Sequence, residues 1–332
     1  MCGSTIRLAR PVTLVVVDDG RAGQLPLGEA LERVKAAHSR RALDDTRPSE
    51  PSLVPEIVGA DVAEVAFAAR LFAQLSLPYR DPGDVPRWVR RNGVLELIVQ
   101  PAPLRDGWAY PYGVLPRMLV TWMATEAVRT KERTLVLGGS LSSFLHTLGL
   151  HRAGGAKGNI RRLREQMTRL FGARLVVYGM TEHFDAMAAV ALADGYQLWW
   201  SPSRPADEPL WQSTVTLSEP FFRSVIDAPV PVDLGALRSL RGSPLRLDIY
   251  TWLTYRMSYL RKPTTVPWDS LAFQFGGDYT ELRMFKRQFL RQLAAVRNVY
   301  PTANVEPSPS GLVLRPSPSH VRARRLKRGS TT

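Results

Sequence analysis

Three arginines set four residues apart, Arg283, Arg287 and Arg291, are the residues of this chain whose type and spacing most clearly suggest a chemistry. Four residues is close to one helical turn, so on a helix they stand in a row. Guanidinium forks grip phosphate oxygens or pair with the O6 and N7 edge of guanine. Around them Leu282, Phe285, Phe289, Leu293 and Val296 recur at helical spacings and form one narrow apolar stripe. At ~100° per residue the arginines sit roughly 100–180° from the centre of that stripe. Such a helix fits a DNA major groove about 12 Å wide. Its N-terminal residues would meet base edges, which makes Thr280, Arg283, Met284 and Arg287 the candidate readers. Lys286, Arg291 and Arg297 are candidate phosphate contacts. The alternative is an ordinary solvated face, yet few acidic residues interleave with these arginines.

A weaker version of the pattern lies upstream. Lys157, Arg161, Arg162, Arg164 and Arg169 project away from the stripe Ile160, Leu163, Met167 and Leu170, with Glu165 among them. This face suits either DNA or a protein partner such as a second copy. The run Arg322, Arg324, Arg325, Lys327 and Arg328 reads as a flexible basic tail that raises non-specific affinity.

The overall charge agrees. The chain carries a net charge of +14, and its distribution is lopsided. Residues 1–100 hold 13 basic and 13 acidic side chains, whereas residues 101–332 hold 31 and 17. A field of this kind attracts a polyanion, and a nucleic-acid backbone is the commonest one. An arginine-rich composition on a solvated surface is the bland alternative. An anionic membrane surface fits less well, because the charged segments also read as packed domains.

Enzyme signatures are missing from the pattern. His38, His146, His151, His183 and His320 are scattered, with no His-x-His pair to hold a metal beside a nucleophilic tyrosine. Gly154, Gly155 and Gly158 surround Lys157 without the phosphate-loop register, so a turn between helices is expected there. Asp18-Asp19 lacks partner carboxylates and reads as the exit of a strand. The single cysteine, Cys2, rules out a disulfide framework and fits a reducing cytosol. No apolar run approaches the ~20 residues of a membrane span. Nor does the start, Met1 to Arg7, carry the apolar core of a signal peptide. A cytoplasmic, non-enzymatic protein without metal or cofactor is expected.

These faces need elements to hold them. Thr13–Val17 reads as a strand, Pro26–Ala37 as a helix, 38–55 as a linker, Asp61–Leu75 as a helix and Gly93–Val99 as a strand. Helices are then expected at Leu115–Lys131, Ser140–Leu148 and Asn159–Phe171, with the short apolar segment Leu135–Leu137 between the first two. Strands should follow at Arg174–Tyr178, Tyr196–Trp200 and Gln212–Leu217. The same order recurs as helices Leu245–Leu260, Val266–Phe275 and Asp278–Asn298, then strands Asn304–Glu306 and Leu312–Arg315. Asp278 is the expected cap of the last helix. Residues Glu219–Leu240 would join the halves. The expectation is an α/β (α+β) chain with two tandem winged-helix domains, 101–232 for dimerisation or DNA contact and 233–318 for DNA recognition. A region 1–100 of unassigned role precedes them and a basic flexible tail, 319–332, follows.

Several segments, taken together and in order, resemble a known family. They are Tyr112-Gly113-Val114-Leu115-Pro116-Arg117, Trp122-Met123-Ala124-Thr125-Glu126-Ala127 and Leu137-Gly138-Gly139-Ser140-Leu141-Ser142-Ser143-Phe144-Leu145. Later come Leu247-Asp248-Ile249-Tyr250-Thr251-Trp252-Leu253-Thr254-Tyr255-Arg256, Pro267-Trp268-Asp269-Ser270-Leu271-Ala272-Phe273-Gln274-Phe275-Gly276, and Phe285-Lys286 through Tyr300-Pro301. Across roughly residues 100–320 the chain resembles the plasmid-encoded RepA replication initiator family. The resemblance implies binding of double-stranded DNA at repeated sites of a plasmid origin, opening of an AT-rich stretch, and recruitment of a host replicative helicase or initiator. Dimerisation through the first domain is an analogy at the level of fold. A plasmid-borne transcriptional regulator would share the fold and the DNA chemistry.

The charge distribution makes its own prediction. If the arginine faces and tail bind phosphates, log affinity for duplex should fall with log salt at a slope implying roughly 6–10 released counterions. Fluorescence anisotropy from low to moderate salt measures it, and a slope near zero would exclude backbone-led binding.

Overall fold

The computed structural model describes residues 14–18, 21–25, 56–57, 65–137, 149, 159–181, 184–198, 213–277, 279–321 and 323–324. The expected helices 26–37 and 140–148, the linker 38–55, the glycine turn around Lys157 and the cap Asp278 lie outside the described residues.

Strands β1 (Leu14–Asp18) and β2 (Arg21–Leu25) form an antiparallel hairpin, and β3 (Glu56–Ile57) is a short strand further on. The next element departs from expectation. Helical spacing over 61–75 predicts one helix, but Val65–Ala69 is a strand, β4, followed by a short helix, α1 (Arg70–Gln74). All five strand residues are buried. A run apolar on both faces suits an enclosed strand, and a helix would have turned part of it to solvent.

Strands β5 (Trp88–Asn92) and β6 (Leu95–Gln100) come next, then the hairpin β7 (Ala102–Leu104) and β8 (Gly107–Ala109). Helix α2 (Val114–Thr130) begins after Gly113 and ends at Lys131, whose φ of 62° is left-handed. It is followed by β9 (Thr134–Val136), α3 (Asn159–Gly172), β10 (Arg174–Thr181), β11 (Phe184–Ala191), β12 (Ala193–Gln197) and β13 (Thr214–Leu217). β11 is absent from the sequence expectation. Its alanine-rich stretch lacks the β-branched signal, and pairing with β10 makes it a strand. The strand expected at 196–200 is β12, whose last residue is Gln197.

Residues 219–240, expected as a joining segment, are α4 (Glu219–Asp227), β14 (Pro229–Asp233) and α5 (Leu234–Leu240). β14 pairs antiparallel with β4, so chain from either side of the first half closes together. On β4, Phe67 N donates to Thr125 Oγ1 of α2 at 2.8 Å, and Arg129 Nη2 donates to the Val65 carbonyl at 3.1 Å. Helix side chains thus satisfy backbone groups of the strand that would otherwise be costly when buried.

The last part is α6 (Pro244–Tyr259), β15 (Thr264–Pro267), α7 (Trp268–Phe275), α8 (Leu282–Val299), β16 (Val305–Pro307), β17 (Gly311–Leu314) and β18 (Ala323–Arg324). β18 pairs with β3. Two departures matter here. Val266 and Pro267 belong to a strand and not to α7, and α8 begins at Leu282 and not Asp278, which leaves Thr280 in the preceding bend.

The sheets fit a mixed α+β fold. One is four-stranded, in the order β11-β10-β6-β5, so β6 from before residue 100 is paired directly with β10 from after it. Two three-stranded sheets have the same wiring, β12-β13-β9 and β15-β17-β16. In each, a strand after the first helix lies at one edge and the closing strand lies in the middle. The recurrence of element order therefore extends to strand pairing, with β10–β11 inserted in the first copy. No helix among the described residues is long and apolar enough to cross a membrane.

One buried ion pair joins the two copies. Arg117 of α2 and Asp248 of α6 meet through Nε–Oδ1 at 2.7 Å and Nη2–Oδ2 at 2.8 Å, and both side chains are 8% exposed. The remaining donors reach the carbonyls of Leu77, Pro78 and Gly113.

The C-terminal segment is also pinned, although a flexible tail is expected from 319. The Tyr300 hydroxyl donates to the Pro318 carbonyl at 2.5 Å, and its ring stacks on His320 at 4.8 Å. His320 Nδ1 lies 2.7 Å from the Tyr250 hydroxyl, which accepts from Asp233 N. Burial holds the His320 pKa below its usual value, opposed in part by Asp233. Val321 is buried. Arg322 and residues 325–332 lie outside the described residues.

Breaking the pair from one side should be costly. Arg117→Met or Asp248→Leu leaves an uncompensated buried charge and should destabilise by ~3–5 kcal/mol, whereas the double variant should recover most of that loss. Denaturant midpoints of the three variants test this, and single variants as stable as the parent would contradict it.

Candidate nucleic-acid interface

Helix α8 is set in place by rings. Phe285 and Phe289 are buried, 5.5 Å apart between centroids, and Phe289 also meets Phe275 at 5.7 Å and Trp268 at 6.1 Å. Aromatic contacts of this kind add specific geometry to the burial of apolar area. Leu293 and Val296 continue the stripe, and Gln292 beside them accepts from Arg246 Nε of α6 at 2.6 Å. The expected stripe is therefore the buried face, except that Leu282 is 42% exposed at the helix start.

The turn from α7 into α8 is tight. A Cβ on Gly276 would lie 2.7 Å from the Ala272 carbonyl and 2.9 Å from the Phe285 ring, so glycine permits this approach. The β16–β17 turn needs glycine as well. A Cβ on Gly311 would meet the Val266 carbonyl of β15 at 2.2 Å. Ser308 closes that turn, its backbone N–H donating to the Gly311 carbonyl at 2.8 Å.

Arg283, Arg287 and Arg291 are exposed on the opposite side of α8, and Arg297 is exposed at its flank. None of them forms an ion pair with a carboxylate among the described residues. Arg287 Nη2 donates to Met284 Sδ at 3.4 Å, and Met284 is 38% exposed on the same face. Lys286 differs from the others. Its ammonium lies 4.7 Å from the Trp268 ring centroid, so it is half-buried at the flank of the row. Thr280 is exposed in the bend before the helix.

Helix α3 divides along its length. Arg161, Arg162 and Arg164 are exposed near its start, and Arg161 pairs with Glu165 at 2.7 Å in a largely solvated contact. Arg169, expected on the same face, is a packing residue. It lies 3.2 Å from Asp81 Oδ2 and 5.2 Å from the Tyr112 ring centroid. Gln166 beside it accepts from the Tyr112 backbone N–H. Leu163, Met167 and Leu170 are buried as expected, and the Ile160 side chain lies outside the described residues. So do Lys157, Arg322, Arg325 and the side chain of Arg324, whose backbone lies in β18.

Two exposed features were not expected from the sequence. Phe273 of α7 is 63% exposed, and at two residues from buried Leu271 and Phe275 it lies about 200° around the helix from each. Arg261 and Lys262 are exposed between α6 and β15, where two consecutive cations after an apolar helix were the available signal. Among the described residues no group of three or more His, Cys, Asp or Glu could hold a metal ion.

The division of α8 is testable. Arg283→Ala and Arg287→Ala should each cost ~1–3 kcal/mol on a cognate site and relax preference at particular base pairs. Arg291→Ala should weaken cognate and scrambled duplex alike and lower the salt slope by about one. Phe289→Ala should instead destabilise the fold by ~3–5 kcal/mol. Duplex titrations with thermal melts separate these effects. An unchanged cognate-to-scrambled ratio in the first two variants would remove α8 as the reader.

Comparisons with known proteins bear on the frame that carries these faces. No curated protein matches the chain. Among solved structures, the crystal structure of domains 2 and 3 of RctB, from selenomethionine derivatives, is 11% identical. That match covers 74% of this chain and 97% of that one, with a TM-score of 0.46. A likeness this loose fixes neither fold nor function. The stronger finding is a match of residues 110–270 to the family described as plasmid encoded RepA protein, a stretch that runs from before α2 into α7. It holds both halves of the Arg117–Asp248 pair and stops short of α8. Over residues 110–270 the chain is thus similar to the plasmid encoded RepA family.

Proposed function

We propose that this chain is a sequence-specific DNA-binding protein that initiates replication from repeated sites at a plasmid origin. The observation that carries the reading is the exposed row Arg283, Arg287 and Arg291, with exposed Arg297 at its flank. It stands on a helix that buried rings hold rigid, and no described carboxylate neutralises it. Four unneutralised guanidinia suit a phosphate-lined groove, with the first two at base edges and the others towards the backbone.

The second copy, α6 to β17, is read as a winged helix. Its order is helix, strand, helix, helix, strand, strand, and its wing is the β16–β17 turn. The first copy shares the wiring. Its α3 is a second DNA contact or a dimer face, and Arg161, Arg162 and Arg164 suit either role. Two linked DNA-contacting modules gain affinity through effective concentration. Binding deforms and opens the origin and recruits a host helicase or initiator, and host enzymes in the cytoplasm do the covalent chemistry.

The test is replication itself. The gene with its adjacent DNA, on a circle lacking any other origin, should support autonomous replication in a permissive host. The Arg283→Ala/Arg287→Ala variant should abolish it. Specific binding to adjacent DNA without replication would favour a plasmid-borne transcriptional regulator and overturn the initiator reading.

A further inference from the structure

The exposed face of α8 is not uniformly cationic. Met284 lies within it, one turn before Gln288 and on the flank of Arg287. A single exposed methionine needs no explanation by itself. This one is held, because Arg287 Nη2 donates to its sulfur at 3.4 Å. The contact places an apolar thioether against a guanidinium fork in the N-terminal part of the helix, where base edges would be met.

The two groups have different chemistries in a major groove. A guanidinium fork pairs with O6 and N7 of guanine, while an apolar side chain packs on the C5-methyl of thymine. Successive bases on one strand rise about 3.4 Å, so side chains in mutual contact can address neighbouring base pairs. Leu282 does not belong to this arrangement. It sits 200° around the helix from Met284 at ~100° per residue.

The geometry points to a DNA site in which Arg287 reads a guanine and Met284 packs on the methyl group of a thymine at the adjacent base pair. The inference rests on α8 being the reading helix. It adds the base composition of the contacted step and makes Met284 a specificity-determining residue, where a cation row alone would distinguish only guanine.

Deoxyuridine differs from thymidine in lacking that methyl. Duplexes would be selected from a random pool with the full chain, and each thymine beside a guanine in the selected site replaced by deoxyuridine. One such replacement should weaken binding about fourfold, the equivalent of one buried methyl group. Met284→Ala should bind the thymine and uracil duplexes alike, whereas Met284→Leu should keep the preference. Both variants should melt with the parent, since the side chain is on the surface. Equal binding of the two duplexes by the parent overturns the inference while α8 stands as the reader. A methyl preference that persists in Met284→Ala does the same, as does a selected site with no thymine beside a guanine. Failure to select any duplex overturns the DNA-binding reading and this inference together.

Discussion

The buried pairing of Arg117 with Asp248 is the interaction on which the arrangement of the two copies depends. A guanidinium has five N–H donors, and the contacts to Asp248, Leu77, Pro78 and Gly113 engage its three nitrogens with five acceptor contacts. Removing a charge from water costs several kcal/mol, and that cost is offset only when geometry and hydrogen bonding are both good. Here α2, α6 and the 77–78 segment must all be present for the pair to be satisfied. The pair therefore selects one packing of the first copy on the second. The ring of Tyr79, 5.0 Å from the guanidinium, adds to the enclosure. Burial, reinforced by the Asp248 charge, pushes the Tyr79 phenol well above its usual pKa.

From this joint the packing runs outward to the cationic face. Asp248 lies on α6, and α6 supplies Trp252, which meets Phe275 of α7 at 5.5 Å. Phe275 in turn meets Phe289 of α8. A chain of ring contacts thus connects the joint to the helix that carries the arginines. Rigidity matters for such a face, because sequence discrimination requires forks held at defined positions, whereas phosphate attraction does not. Behind α8, Tyr300, Tyr250 and His320 fix the chain up to Val321.

Much of this was legible in the sequence. Helices α2, α3, α6 and α8 announce themselves through apolar spacing, and the outward arginines of α8 follow from the same periodicity. The failures were of three kinds. Val65–Ala69 has apolar residues compatible with a helix, and only pairing with Pro229–Asp233 makes it a strand. β11 is too alanine-rich for its own pattern to declare it. Arg169 looked like Arg161, but contacts with Asp81 and Tyr112, distant along the chain, turn it inward.

What the sequence by itself determined is what depends on neighbours within a turn or two. That includes helix existence, which face is apolar, where charge accumulates, and the family motifs between Tyr112 and Gly276. Tertiary structure alone decided which elements close on one another. It paired β4 with β14 and β6 with β10, and buried Arg117 against a carboxylate 131 residues away. Periodicity records whether a side chain faces inward or outward, but not which distant partner it meets. A buried charge and a strand edge are stable only through those partners, so their roles become visible only once the chain has closed.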